Sequence, residues 1–269
     1  MPMAGYTLGC GLSRLSRSHE QRPAHDCRAG AAVKPLAIDL FCGLGGWTDG
    51  LLAEGYDVIG FDIERHVYGE HRYPAQLVLQ DVLTLHGKQF RDVDLIVASP
   101  PCQEYSYMAM PWSRAKQIAA EYRSGVRDVA KLTALFDACF RIQREACEAA
   151  GKHIPMVVEN VRGAQPWVGR SRWNFGSFHL WGDVPALMPM AGLRSATKVG
   201  GIDFNGYGTP GYKAQSFNTT AQKRLIWWHD PDSVSHTSGS KSPTRKFASA
   251  MIAKIPLPLS RHIARVYAT

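Results

Sequence analysis

Cys102 stands in VASPPCQEYS, directly behind two prolines that close an apolar run. Pro100 and Pro101 each fix φ and remove an N–H donor, so no strand continues through them. A residue before a proline is driven to extended geometry, which makes the backbone that delivers Cys102 stiff. Such a setting holds a thiol nucleophile still; it also makes an ordinary strand-ending turn. A second candidate is Glu159 in VVENV, with no basic residue between it and Arg162. A carboxylate at a buried strand end is costly unless it is paired or protonated. It is therefore an acid–base group or half of a salt bridge with a nearby arginine. The third candidate is the loop DLFCGLGG, residues 39–46, whose glycines permit a tight strand-to-helix turn and close backbone approach to a ligand. It falls short of GxGxxG because Trp47 and Thr48 follow Gly46. Asp62 in VIGFD and Asp81 in QDV end the next two strands, and each suits a ribose diol or a helix cap. Two acidic strand ends beyond a glycine loop favour an adenosine-containing ligand.

The elements that would position these groups alternate along the chain. LAIDLF, DVIGFDI, AQLVLQDV, VDLIVASP and IPMVVENV read as strands, several of them apolar throughout. WTDGLLAEG, closed by Gly55, and RHVYGEHRY read as helical stretches between them. VRDVAKLTALFDACFRIQREACEAAG carries Leu132, Leu135, Phe136, Cys139 and Ile142 at helical spacing and ends at Gly151. Alternation of this kind predicts an α/β fold with a mostly parallel sheet covered on both faces, ligands binding at the C-terminal strand ends. After Val161 the pattern weakens into a Gly-, Pro- and Trp-rich stretch with short strand-like runs such as SFHLWG and RLIWW. At the end, KFASAMIAKIPLPLSRHIARVYA reads as a helix broken at Pro256 and Pro258 and then resumed. The expected domains are a flexible extension (1–35), a catalytic and cofactor-binding core (36–172), a compact β-rich recognition annex (173–246) and a segment returning to the core (247–269).

Composition narrows the class. The chain has 269 residues, and 45% of them are hydrophobic, enough for one large domain with its own core. Lys and Arg number 31 against 23 Asp and Glu, a balance of +8 that suits a polyanionic partner. Six cysteines form no CxxC pair and no zinc-finger spacing, so a reduced, cytoplasmic protein without a structural metal is expected. No apolar run reaches the length of a membrane span, and TLGC near the start has no apolar segment before it, so neither a membrane partner nor a secretory signal is expected.

The ordered set DLFCGLGG, Asp62, Asp81, PPCQ and ENV resembles the cytosine-C5 DNA methyltransferases, near their short, phage-like members. The resemblance covers residues 37 to about 163 and returns at the C-terminus. It implies a Rossmann-like domain that uses S-adenosylmethionine to methylate C5 of cytosine in double-stranded DNA, acting as a monomer. Cys102 would attack C6 of a flipped-out cytosine, and Glu159 would act at N3. Phe41, Gly43, Leu44, Gly45, Asp62, Ile63, Asp81, Val82 and Pro101 would surround the cofactor, with Asp62 on the ribose, Asp81 on the adenine amine and Ile63 against the adenine ring. A mobile loop from Glu104 to about Arg127 would close over the base, carrying Tyr105, Tyr107, Trp112, Arg114, Lys116 and Arg123. A transfer RNA substrate and a catalytically silent binder are the rival readings.

Two departures accompany the resemblance. The family's QxRxR string is missing; Arg170 and Arg172 in VGRSRW have the right relative spacing and are taken as the pocket arginines, although Val168 replaces the glutamine and AQKRLIWW offers Gln222 and Arg224. The C-terminal motif reads IAKIP, so Ala253 replaces the usual cofactor-contacting asparagine.

Overall fold

The structure is a computed structural model that describes residues 33–103, 105, 112–175, 178–188 and 242–268. Its sheet has seven strands: β1 (Leu36–Leu40), β2 (Asp57–Asp62), β5 (Gln76–Leu79), β6 (Leu95–Ala98), β7 (Met156–Asn160), β8 (Trp173–Phe175) and β9 (Phe178–Gly182), in the order β5-β2-β1-β6-β7-β9-β8. The first five of that order run parallel, and β9 returns antiparallel to β7 with β8 beyond it. From β1 the chain steps outward to β2 and β5, then comes back to β6 on the other side of β1. The order therefore reverses between β1 and β6, and a crevice opens at the C-terminal ends of those two strands. The fold is Rossmann-like.

Alternate residues of the buried strands feed two cores, as period-two geometry requires. Ile38, Leu40, Ile96, Met156 and Val158 pack with Phe136, Cys139 and Ile142 of α3 (Val129–Ala150). Asp128 caps that helix by accepting from Ala130 N, and Gly151 ends it with φ 65°. On the opposite face Ala37, Val97 and Val157 meet Trp47 and Leu51 of α1 (Gly46–Ala53). Beside them lie Leu259 and Ile263 of the last helix, Leu257–Tyr267. The two helices of this face are clasped by Glu54, whose oxygens accept from Arg261 Nε at 2.5 Å and Arg265 Nε at 2.9 Å.

Three expectations change. RHVYGEHRY is not helical: Val67–Tyr68 (β3) and His71–Arg72 (β4) form a small antiparallel hairpin turning at Gly69, φ 62°. Its Tyr68 and His71 rings lie 5.5 and 5.1 Å from Phe247 of the helix Pro243–Ala253 (α5), so aromatic packing overrides a weak helical spacing. The run FHLWG belongs to the main sheet as β9 rather than to an annex, because Leu180 and Phe178 complete the core opposite Val157. Residues Trp112–Arg123 behind Cys102 form a helix, α2, where a loop was expected. A four-residue helix, Gln165–Val168 (α4), follows β7, and the Leu257–Tyr267 helix is α6. The break between α5 and α6 ends at Pro256, as read, but Pro258 lies in the first turn of α6 rather than in the break. The extension up to residue 32, the annex residues 189–241 and RLIWW lie outside the described residues.

Candidate functional site

The glycine loop, Asp62, Asp81, Cys102 and Glu159 all come to the C-terminal edge of the parallel strands; hydrogen bonds tie the loop to Asp62 and the turn before Cys102 to the strand that carries Glu159. Phe41 adopts φ 58°, unusual for a non-glycine residue, as the chain turns off β1. Gly43 follows at φ 51°, and a Cβ there would meet nothing within 4 Å: the loop opens onto space at that point. Gly43 N–H donates to Asp62 Oδ2 at 2.8 Å, so the acid ending β2 holds the loop. Its other oxygen accepts from Ile63 N at 2.8 Å and faces His66 Nε2 at 3.7 Å. Burial pushes the Asp62 carboxyl up, but His66 and the Gly43 N–H outweigh it and hold the acid below the usual carboxylate range. Ile63 beside it is 73% exposed, an apolar side chain left uncovered at the crevice. Asp81 accepts from Leu83 N at 2.9 Å and so caps the turn after β5.

On the other side of the crevice, Ser99 N–H donates to Leu40 O and Ser99 Oγ accepts from Trp47 Nε1 at 3.0 Å. The Pro-Pro turn is thereby fastened to β1 and α1. Asn160 Nδ2 donates to Pro100 O at 3.0 Å, which locks the same turn to the end of β7. Pro101 is exposed, Cys102 is partly buried, and Glu159 is buried within β7. Continuing the register Ala98↔Val158 by one residue brings Ser99 level with Glu159, three residues before the thiol.

Several expected roles are corrected. Val82 is 2% exposed and packs in the core, so its side chain cannot line a ligand. Leu44 is buried too and can offer only backbone. Tyr105 is buried with its hydroxyl donating to Leu132 O at 2.7 Å; it anchors the segment after Cys102 to α3. Arg114, Lys116 and Arg123 are exposed on α2, and the Arg123 guanidinium lies 6.0 Å from the Trp167 ring. Arg172 is exposed just before β8; its backbone N–H donates to Leu180 O, and Leu180 pairs with Glu159, so Arg172 enters the sheet level with the Glu159 end of β7 and two strands away from it. Its charge also acts on Tyr267, whose hydroxyl donates to Asp183 O. Arg170 is exposed in the loop before it. Gln222, Arg224, Glu104 and Tyr107 lie outside the described residues. Among those described, no group of three His, Cys, Asp or Glu suits a metal ion, and no helix is long and apolar enough to cross a membrane.

A charged residue inside the apolar strand LAIDLF was the signal for a feature not anticipated. Asp39 is fully buried beneath the loop. Tyr73 O–H donates to Thr48 Oγ1 at 2.7 Å, and Thr48 O–H donates to Asp39 Oδ2 at 2.6 Å. Asp39 Oδ1 has no hydrogen-bond partner among the described residues. Burial pushes this carboxyl up to about 7 against the Thr48 hydrogen bond, with the charges of Asp62 and Asp49 adding to the rise. The folded state thus keeps this proton to higher pH than the unfolded chain. Stability from this group is full below about pH 4 and falls as pH rises through about 7, by an amount on the order of 4 kcal/mol. Asp39→Asn should flatten that slope, read as the difference in urea-unfolding free energy from wild type between about pH 5 and 8. An unchanged slope would show that Asp39 is already ionised in the fold.

Residues 36–130 match the family model of the C-5 cytosine-specific DNA methylases. The match contains the glycine loop, Asp62, Asp81 and Cys102. No curated protein matches the chain. Among solved structures it is similar to a DNA modification methyltransferase encoded within an E. coli prophage, at 23% identity over 49% of this chain and 33% of that one, TM-score 0.29. It is also similar to S. pombe Dnmt2 methyltransferase (17%, 51% and 37%, TM-score 0.32). A third is the Entamoeba histolytica methyltransferase EhMeth (17%, 51% and 41%, TM-score 0.34). The aligned part thus spans a third to two fifths of those chains.

Proposed function

We propose that this chain methylates C5 of cytosine in double-stranded DNA, with Cys102 as nucleophile and Glu159 as the acid at N3. The observation that carries the reading is the Asn160–Pro100 hydrogen bond, which fastens the turn before Cys102 to the end of the strand that carries Glu159. The residues present fit S-adenosylmethionine. Gly43 leaves an opening in the loop, Ile63 is an exposed apolar side chain that an adenine ring would cover, and Asp62 and Asp81, at the ends of the two adjacent strands, would accept from a ribose and an exocyclic amine. That cofactor supplies an electrophilic methyl group on a sulfonium sulfur.

Cytosine C5 is too electron-poor to take the methyl unaided. Addition of the Cys102 thiolate to C6 breaks the C5–C6 double bond and pushes its electron pair towards N3, where the Glu159 carboxyl gives up a proton. The resulting enamine is nucleophilic at C5. Once C5 carries the methyl group the N3 proton returns to Glu159, and removal of the C5 proton by a base re-forms the C5–C6 double bond as the thiolate leaves C6. A target inside a duplex must first be extruded, at a cost of about a few kcal/mol. Lys116 and Arg123 share an exposed face of α2, which follows Cys102 in the chain, and suit phosphate contact; Arg114 is exposed on another face of the same helix. With β8 and β9 committed to the sheet, reading of the flanking bases falls to the segment between β9 and α5.

The test is incubation with methyl-labelled S-adenosylmethionine and mixed-sequence duplex DNA, with transfer RNA in a parallel tube. Label recovered as 5-methylcytosine in DNA supports the proposal. Label in RNA alone moves the substrate to RNA, and none in either leaves a cofactor binder.

A further inference from the structure

We propose that Lys254 binds the carboxylate of the cofactor's amino-acid end, with Asp49 holding the ammonium ready; this rests on the cofactor reading above. Lys254 lies in the link between α5 and α6, and its Nζ is 2.7 Å from Asp49 Oδ2 in the first turn of α1. The same link is pressed onto the glycine loop. A Cβ on Gly46 would stand 2.3 Å from Ile255 N and 3.0 Å from Lys254 Cγ, so the lysine stem starts directly over the beginning of α1.

The direction of the ligand follows from the residues around the opening. Asp62, Ile63 and Asp81 place adenosine towards β2 and β5, and the methyl group must point to Cys102 and Glu159 on the β6–β7 side. The amino-acid end is left over the start of α1, where Lys254 stands. Charge balance favours the same assignment. Asp49 and Asp62 lie within electrostatic reach of Asp39 beneath this loop, and a ligand carboxylate entering beside Asp49 needs a cation to offset that charge. An ammonium has three donors, so Lys254 can keep Asp49 and still serve the ligand. Its ion pair is 29% and 36% exposed, a setting in which such pairs stabilise folds by only about 0–1 kcal/mol. Folding alone gives little reason to hold the charge there. Ala253, at the end of α5, offers no polar group for the task, and the next residue along supplies one.

S-adenosylhomocysteine and 5′-methylthioadenosine share the adenosine and the sulfur, and only the former carries the amino-acid end. Calorimetric titration of both into wild type, Lys254→Met and Lys254→Arg separates a carboxylate contact from a structural role. Lys254→Met should lose about tenfold in affinity for S-adenosylhomocysteine with methylthioadenosine unchanged, and Lys254→Arg should stay within about threefold for both. Added salt should weaken S-adenosylhomocysteine binding to the wild type more than methylthioadenosine binding. Equal loss for both ligands, or loss for neither, overturns the proposal while leaving the cofactor reading intact. A wild type that binds neither ligand overturns both.

Discussion

Cys102→Ser should leave S-adenosylhomocysteine affinity within about twofold and abolish label transfer to cytosine, a fall of at least about a thousandfold. A serine hydroxyl is a far weaker nucleophile than a thiolate at neutral pH, and no other group here replaces it in addition to C6. The expected sparing of binding has a structural basis. The turn before Cys102 is held by Leu40 O, Trp47, Ser99 and Asn160, none of which uses the thiol. Loss of both binding and activity would mean that the side chain is structural. Retained activity would remove Cys102 from the chemistry. Duplex DNA with 5-fluorocytosine at the target gives a second readout, because fluorine cannot leave as the C5 proton does. The wild type should form a denaturant-stable adduct and the serine variant none.

Gly50→Ala should destabilise the fold by about 2 kcal/mol, although helix propensity alone argues the other way. Alanine is favoured over glycine in a helix interior by about 1 kcal/mol. Here α1 crosses α6 at Gly50 so closely that a Cβ would stand 2.2 Å from Ser260 Oγ and 2.5 Å from both Arg261 N and Ser260 C. Two of those three atoms are backbone and cannot rotate aside, so the helices must part. Overpacking of this kind costs about 1–3 kcal/mol, occasionally more, and separation would also strain the Glu54 clasp onto Arg261 and Arg265. The melting temperature should fall by about 4–8 °C. A rise would mean that the interface relaxes without loss and that propensity decides.

Much of the architecture was legible in local pattern. Strands buried on both faces leave continuous apolar runs, and the long helix α3 carries its spacing, its Asp128 cap and its Gly151 stop within the chain itself. The errors fell where local signals were weak and packing decided. RHVYGEHRY has too few apolar residues to choose a period, and Phe247, far along the chain, selects the hairpin. Val82 follows Asp81 directly and so seemed to share its site, yet the turn that Asp81 caps rotates Val82 into the core.

By itself the sequence determined the chemistry on offer, because a thiol behind two prolines, an acid at an apolar strand end and a glycine loop are covalent facts of the chain. It also determined the parallel α/β class, because period and apolarity are local. Only the tertiary structure decided which of these groups meet. Asn160 reaching Pro100, Gly43 reaching Asp62 and Lys254 reaching Asp49 are contacts across 60, 19 and 205 residues. Strand order and helix crossing set them, and no local pattern carries them. The lone oxygen of Asp39 belongs to the same class: a charge in an apolar strand is visible in the sequence, but its burial beneath Thr48 and Tyr73 exists only once the sheet has closed over it.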